Sequence, residues 1–397
     1  MHSKQLIKIL FIGIIFGSNF FIPVCNLSAQ RLDGQPNLIE VVTQFEKFVQ
    51  DTMAQCNAPG AAVAVVKDDR IIYLKGFGVR EIGKAEAVDI HTVFRLGSVS
   101  KGFAAVLTGV LVQDGILNWD DKIVDYCPDF SLKNAQSTQN LTIRHILSHT
   151  TGLPAHTFTD RVEAEVPFED IVKQLREVQV ISPVGKIYAY QNVAFSLIGE
   201  VVWAATGQTY QTLIEQRLFE PLGMTDASVG REAFMAASNR AMPHVHRYSG
   251  WTVAEIKNAY YAIPPAAGIN ASILDMAKWL RAVMGSAPQV ISQATIREIT
   301  APVVRTPQER RRHRWGELLN EAYYGLGWRI FDYGGKKLVY HGGWVSGYRS
   351  EIGFIQEDRI GVVVLMNFEN VISSYFLPKF FELYSNLISA ESYHSSY

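Results

Sequence analysis

The segment Phe94-Arg-Leu-Gly97-Ser98-Val-Ser-Lys101 runs straight into an apolar stretch, Phe103 to Val112. A glycine, a serine and a lysine ahead of such a stretch read as the first turn of a largely buried helix. Ser98 and Lys101 are then one turn apart and share a helix face. Serine is a poor nucleophile at its free pKa, but a neighbouring amine can take its proton if burial or other cations depress the lysine pKa. Free N–H groups at the helix start can receive a developing oxyanion. A Ser-x-x-Lys spacing arises about once by chance in a chain of this composition. Its plain counterpart is an ordinary helix start with a surface lysine.

Working outward, Ala61-Ala-Val-Ala-Val-Val66 and Ile71-Ile-Tyr-Leu74 flank the polar Lys67-Asp-Asp-Arg70. They read as two strands and a turn. A helix is expected before them, Pro36 to Met53, with Ile39, Val42, Phe45, Val49 and Met53 on one face. The strand pattern returns near the far end: Leu326 to Phe331, Lys337 to His341, Tyr348 to Phe354 and Ile360 to Met366. Turns are expected at Gly334-Gly335 and Glu357-Asp358, and a final helix over about Ser374 to Leu387. Between them the signals are mostly helical: Ala194 to Ala205, Tyr210 to Phe219, and Ser272 to Val283 with Ser272 as N-cap. The fold class that follows is α/β: an antiparallel sheet from both chain ends, flanked by helices, with a mostly helical insertion. The expected division is 30–116 and 282–397 for the sheet domain and 117–281 for the helical one.

Two further elements carry chemistry. Tyr190-Gln191-Asn192 precedes the Ala194 helix. A phenol beside a lysine can share acid and base work, and an asparagine amide can hold a substrate amide or the lysine. Tyr384-Ser385-Asn386 has the same spacing but falls in the C-terminal helix among Phe381, Leu383 and Leu387, so Tyr190 is preferred. His341-Gly342-Gly343-Trp344 closes a strand. Its glycines let a ligand backbone come close, and the next N–H can pair with that of Ser98 around an oxyanion. The plain alternative is a strand-end turn with a solvated histidine.

Composition narrows the rest. The chain has 397 residues, 37 basic against 38 acidic, 48% hydrophobic and 11% aromatic, which supports packed cores and excludes the basic stripe of a nucleic-acid binder. Three cysteines exclude a disulfide scaffold. His2, Lys4 and Lys8, the apolar runs Ile9–Phe16 and Phe20–Val24, and Leu27-Ser-Ala29 read as a signal peptide over 1–29. Ser18, Asn19 and Pro23 interrupt a membrane span, and Val24 is too large for lipoprotein processing at Cys25. Cleavage would leave 368 residues with 35 basic against 38 acidic, and Cys56 and Cys127, which are expected to be free. Arg305-Thr-Pro-Gln-Glu-Arg310-Arg-Arg-His-Arg314 is read either as a solvated loop or as a rim contact for an anionic substrate, polymer or lipid. His145 and His149 at i,i+4 lack an acidic partner for a metal site. No Gly-x-Ser-x-Gly elbow or phosphate loop occurs.

The three motifs together resemble the serine β-lactamase and penicillin-binding protein superfamily, especially its class C-like branch. The resemblance covers nearly the whole chain after residue 29. It includes Ala58-Pro-Gly60, Leu147-Ser-His-Thr-Thr-Gly-Leu-Pro154, Phe219-Glu-Pro-Leu-Gly-Met-Thr-Asp226, Asp275-Met-Ala-Lys-Trp279 and Tyr324-Gly-Leu-Gly-Trp328. It implies a β-lactamase/transpeptidase-like fold with the site between sheet and helical domain. It implies Ser98 as nucleophile, Lys101 as its activator and Tyr190 as the catalytic tyrosine. Substrate would be held by Asn192, His341, Gly342, Gly343 and Trp344, with oxyanion donors at the Ser98 and Trp344 N–H groups. Where this superfamily carries lysine in its third motif, the chain has His341, which is mostly neutral at pH 7. Arg349 is a candidate for the missing charge, and a lysine at 341 is expected to restore it. The expected function is an exported serine hydrolase, periplasmic or extracellular, with β-lactamase-like amide hydrolysis through a Ser98 acyl-enzyme. An esterase, a D-amino-acid peptidase or carboxypeptidase, and a non-catalytic binding protein of the same fold are the alternatives. Partners are expected to be a small molecule or peptide with a scissile amide or ester, with no nucleic acid, no metal, no cofactor and no stable membrane span.

Overall fold

The computed structural model describes residues 36–248, 250–310 and 313–394. The signal-peptide assignment over 1–29, with Cys25, falls outside them. Among the described residues, eight strands make one antiparallel sheet: β1 (Gly60–Lys67), β2 (Arg70–Gly78), β8 (Val304–Arg305), β9 (Leu319–Tyr324), β10 (Arg329–Tyr333), β11 (Lys336–Val345), β12 (Tyr348–Ile355) and β13 (Ile360–Met366). Their order is β2-β1-β13-β12-β11-β10-β9-β8, so the last strand of the chain lies beside the first within the sheet, and β2 and β8 are its edges. Short strands β3 (Val93–Arg95), β4 (Ser228–Val229) and β7 (Ile269–Ser272) form a second sheet in the order β3-β7-β4, and β5 (His244–Arg247) pairs with β6 (Gly250–Val253). The helices that matter for the site and core are α1 (Pro36–Gln55), α2 (Ser100–Gln113), α3 (Ile143–Leu147), α4 (Asn192–Thr206), α5 (Ile273–Arg281) and α6 (Phe376–His394).

β1 is apolar at every inner position because both of its faces are covered. Ala61, Val63 and Val65 enter a core with Phe45 and Val49 of α1 and Phe380 and Phe381 of α6. Phe45 and Phe380 meet edge to face, with centroids 5.3 Å apart. Ala62, Ala64 and Val66 enter the opposite core with Phe103 and Leu107 of α2 and Trp279 and Leu280 of α5. Each fully buried Val or Leu contributes about 1.5–3 kcal/mol. α2 is buried over almost its whole length, which is why its sequence is apolar all round.

The structure departs from expectation in three places. Helix α5 falls within the expected helical insertion, 117–281, but it packs on β1 and β13. Its apolar face, Met276, Trp279 and Leu280, is complementary to the sheet. The strand expected from Leu326 begins at Arg329. Gly327 at φ +73 and a Gly325 N–H bond to the Trp328 carbonyl (2.8 Å) make Gly325–Trp328 a turn. The helix expected over Tyr210 to Phe219 is α-helical only to Ile214 and then π-helical. Ser272 does cap α5, accepting from the Asp275 N–H at 3.2 Å. Cys56 and Cys127 are free thiols. No described helix is long and apolar enough to cross a membrane.

Candidate active site

Ser98 sits in a 3-10 turn, Gly97–Val99, between β3 and α2. The turn is pressed against β11 by two glycines. A Cβ on Gly97 (φ +52) would lie 2.9 Å from the Trp344 nitrogen, and one on Gly343 would lie 2.0 Å from the Leu96 carbonyl oxygen. Gly343 is therefore needed for the approach of the chain to itself, not of a ligand. Gly342 and Trp344 do face the cavity in front of Ser98, whose volume is about 470 Å³.

Lys101 is the second residue of α2, one turn beyond Ser98, and is fully buried. Its Nζ is 3.2 Å from Ser98 Oγ, 2.8 Å from Asn192 Oδ1 and 3.0 Å from the Ala266 carbonyl oxygen. The rings of Tyr190 and Phe195 lie 4.7 and 5.3 Å from it. Burial, and then the nearby Arg329 cation, hold its pKa well below the ordinary lysine value. A neutral amine has two N–H bonds and one lone pair. In that form Asn192 Oδ1 and the Ala266 carbonyl would accept the two hydrogens, leaving the lone pair for the Ser98 hydroxyl. Tyr190 is half-buried on the same cavity and hydrogen-bonds Ser98. Burial raises its pKa despite that bond, so the phenol keeps its proton at neutral pH.

The Leu147–Pro154 segment explains how Tyr190 is held. The Ala189 N–H donates to the His149 carbonyl (2.9 Å), the Gln191 N–H donates to His149 Nδ1 (3.1 Å), and the Tyr190 carbonyl accepts from the His156 N–H (2.7 Å). The His149 ring lies 4.2 Å from that of Tyr190. Because Nδ1 accepts, the imidazole is neutral with its hydrogen on Nε2, and burial pushes its pKa well down. His145 and His149 do not share a helix face: α3 ends at Leu147, His149 has φ +58, and His145 instead caps α3 through Thr142.

His341 is not brought to the cavity. It is fully buried, with Nε2 bonded to the Tyr324 hydroxyl (3.0 Å) and Nδ1 beside the Gly342 carbonyl (2.9 Å). Burial, and then the Arg329 cation, hold its pKa well below the ordinary histidine value. The expected substrate contact at 341 is thus replaced by a wall residue, and a lysine there would sit inside the wall. Cations reach the cavity from elsewhere: Arg329, Arg314 and Arg349 all line it. Arg349 pairs across the strands with Trp344. Arg329 is ion-paired to the buried Glu309 at 2.6 Å. Arg314 approaches the Tyr340 hydroxyl at 3.3 Å. Glu309 and Arg314 belong to the arginine-rich segment, which therefore contributes to the cavity wall rather than lying wholly in solvent. Arg329 was missed from sequence, its one signal being that it directly follows the Tyr324–Trp328 motif, and Glu309 was read only as part of the arginine-rich segment. Tyr384 packs in the α1/α6 core.

The model of the Beta-lactamase family matches residues 45–375. Among curated proteins, the chain is 29% identical over 334 residues to an unguisins hydrolase of Aspergillus campestris, covering 81% of this chain and 61% of that one. It is 26% identical over 335 residues to penicillin-binding protein 4 of Amycolatopsis lactamdurans, covering 83% and 86%. Among solved structures it resembles the octameric penicillin-binding protein homologue from Pyrococcus abyssi, with TM-score 0.78, 26% identity, and 87% and 77% coverage. The chain spans about three-fifths of the length of the unguisins hydrolases it matches. It belongs to the beta-lactamase family, within the serine β-lactamase and penicillin-binding protein superfamily.

Proposed function

We propose that the chain hydrolyses an amide by acyl transfer through Ser98, with neutral Lys101 as the base. One observation carries this: the fully buried Lys101 Nζ lies 3.2 Å from Ser98 Oγ, and its other two hydrogen-bond partners, Asn192 Oδ1 and the Ala266 carbonyl, are both acceptors. Lys101 takes the Ser98 proton as Oγ attacks the carbonyl carbon. The oxyanion is received by the N–H groups of Ser98 and Trp344. When the carbon–nitrogen bond breaks, Tyr190 gives its hydroxyl proton to the leaving nitrogen and regains one from Lys101. Water then attacks the acyl-enzyme, the same groups run in reverse, and the acid is released. Depression of the Lys101 pKa and elevation of the Tyr190 pKa both favour lysine as base and tyrosine as acid.

The substrate we propose is a cyclic or linear amide of the β-lactam or peptide type. The names of the relatives support it, since one is a hydrolase of unguisins and another a penicillin-binding protein. We also propose export, which rests on the residue order of 1–29 alone, and N-terminal sequencing of the secreted protein tests it. For the activity, nitrocefin is assayed beside p-nitrophenyl esters and D-amino-acid peptides. Turnover of nitrocefin or a D-peptide that is lost in Ser98→Ala is expected. Ester cleavage alone would move the assignment to an esterase.

A further inference from the structure

A second cavity, of about 530 Å³, adjoins the first, and Glu163, Tyr260 and Trp344 line both. Arg95 opens into it from β3, three residues before the nucleophile. Arg95 is only 5% exposed. Its guanidinium carbon lies 4.0 Å from the centre of the Tyr261 ring, a stacking that fixes the plane of the fork. The Tyr261 hydroxyl is anchored in turn on Asn270 Oδ1 at 2.7 Å. Arg95 Nε has no hydrogen-bond partner, and its side chain makes no ion pair among the described residues. A buried cation without a counter-ion is costly unless an anion arrives to meet it. A planar fork of this kind matches a carboxylate through two parallel N–H···O bonds.

The other charges around the cavity do not satisfy Arg95. Glu163 accepts from the Tyr260 hydroxyl (2.9 Å) and forms no ion pair with Arg95. Glu255, Arg247 and Lys257 are exposed on its rim, so the basic side chains there outnumber the one remaining acid. Tyr190, the group that would protonate a leaving nitrogen, lines the first cavity only. A substrate held at Ser98 reaches the second cavity past Trp344, which lines both.

We propose that this second cavity is an acyl-side subsite that reads a substrate carboxylate through Arg95. It rests on the acyl-transfer reading above and makes it more specific: the substrate is an acyl donor with an acidic group beyond Trp344. The test uses p-nitrophenyl monoesters of succinic, glutaric and adipic acids, each beside its methyl ester, at low salt. For at least one chain length the free carboxylate is expected to raise kcat/KM tenfold or more. In Arg95→Gln that ratio falls to near one, and in Arg95→Lys it is intermediate. The ratio is taken within each variant, so loss of folded enzyme cancels. A wild-type ratio of one or less at every length, or an unchanged ratio in Arg95→Gln, overturns the subsite. If none of these esters turns over, the acyl-transfer reading is judged separately by nitrocefin and the D-peptides, whose failure to turn over would overturn it. The same pairs are then titrated onto Ser98→Ala by calorimetry, where tighter binding of the carboxylate that needs Arg95 supports the subsite, and equal binding overturns it.

Discussion

Lys101 is enclosed by two aromatic rings, an asparagine oxygen and a backbone carbonyl, and its nearest cation is Arg329. An ammonium in that setting loses most of its hydration, so the neutral form is favoured. Activity should therefore rise with pH through a limb that lies below the ordinary lysine range. Replacing Arg329 by Gln removes a positive neighbour, raises the Lys101 pKa and moves that limb to higher pH. The pH profile of kcat/KM checks this, and a limb that stays put or moves down contradicts it. Tyr190 and Tyr384 share a Tyr-x-Asn spacing but not an environment. Tyr190→Phe should lower kcat by about 10²-fold or more. Tyr384→Phe, in the α1/α6 core, should leave kcat within a few-fold, as steady-state kinetics on the two variants will show.

At the scale of elements, the site depends on how closely β11 meets the turn before α2. Gly343→Ala would set a Cβ 2.0 Å from the Leu96 oxygen and 2.2 Å from Ser350 Oγ. The strand must then retreat from Ser98. The expected cost is about 1–3 kcal/mol of stability from overpacking, with kcat reduced about 10²-fold if the Trp344 N–H is an oxyanion donor. Thermal unfolding and kcat measured together decide it: a stable variant with full turnover would refute the tight junction. The helix start was legible because Ser98 and Lys101 are three residues apart, so local geometry alone brings them together. The burial of His341 was not. Alternation along a strand tells which residues share a face, but both faces of this sheet are covered, so parity could not say which face held the cavity. The Arg329–Glu309 pair was also hidden, because it joins a strand start to a separate connecting segment, a contact made only by the tertiary fold.

For the whole molecule, chain order tells most of the architecture. Strands rich in Ala, Val and Ile at both ends pair with each other, and the helical middle brings Tyr190 back over Ser98. The least legible strand was β9, whose Leu-Asn-Glu-Ala-Tyr-Tyr is polar on one face and lies toward the sheet edge. Buried histidines with depressed pKa make stability depend on pH, His149 and His341 most strongly. His149 and His341 have folded pKa values below the unfolded value of about 6.5. Below pH ~6.5 the unfolded chain binds protons that the folded chain does not. Their contribution is complete above that pH and is lost on acidification, by up to about 1.4 kcal/mol per pH unit for each histidine. Urea unfolding at pH 7.5, 6.5 and 5.5 should show the fall, and His341→Gln should make it shallower. An equal slope in that variant would mean that His341 titrates normally. The central claim is the covalent one. Intact-protein mass spectrometry, after brief exposure to a panel of β-lactams, esters and D-peptides, should reveal an acyl adduct that maps to the peptide carrying Ser98 and is absent from Ser98→Ala. No adduct with any member of the panel, or equal labelling of Ser98→Ala, would contradict the account.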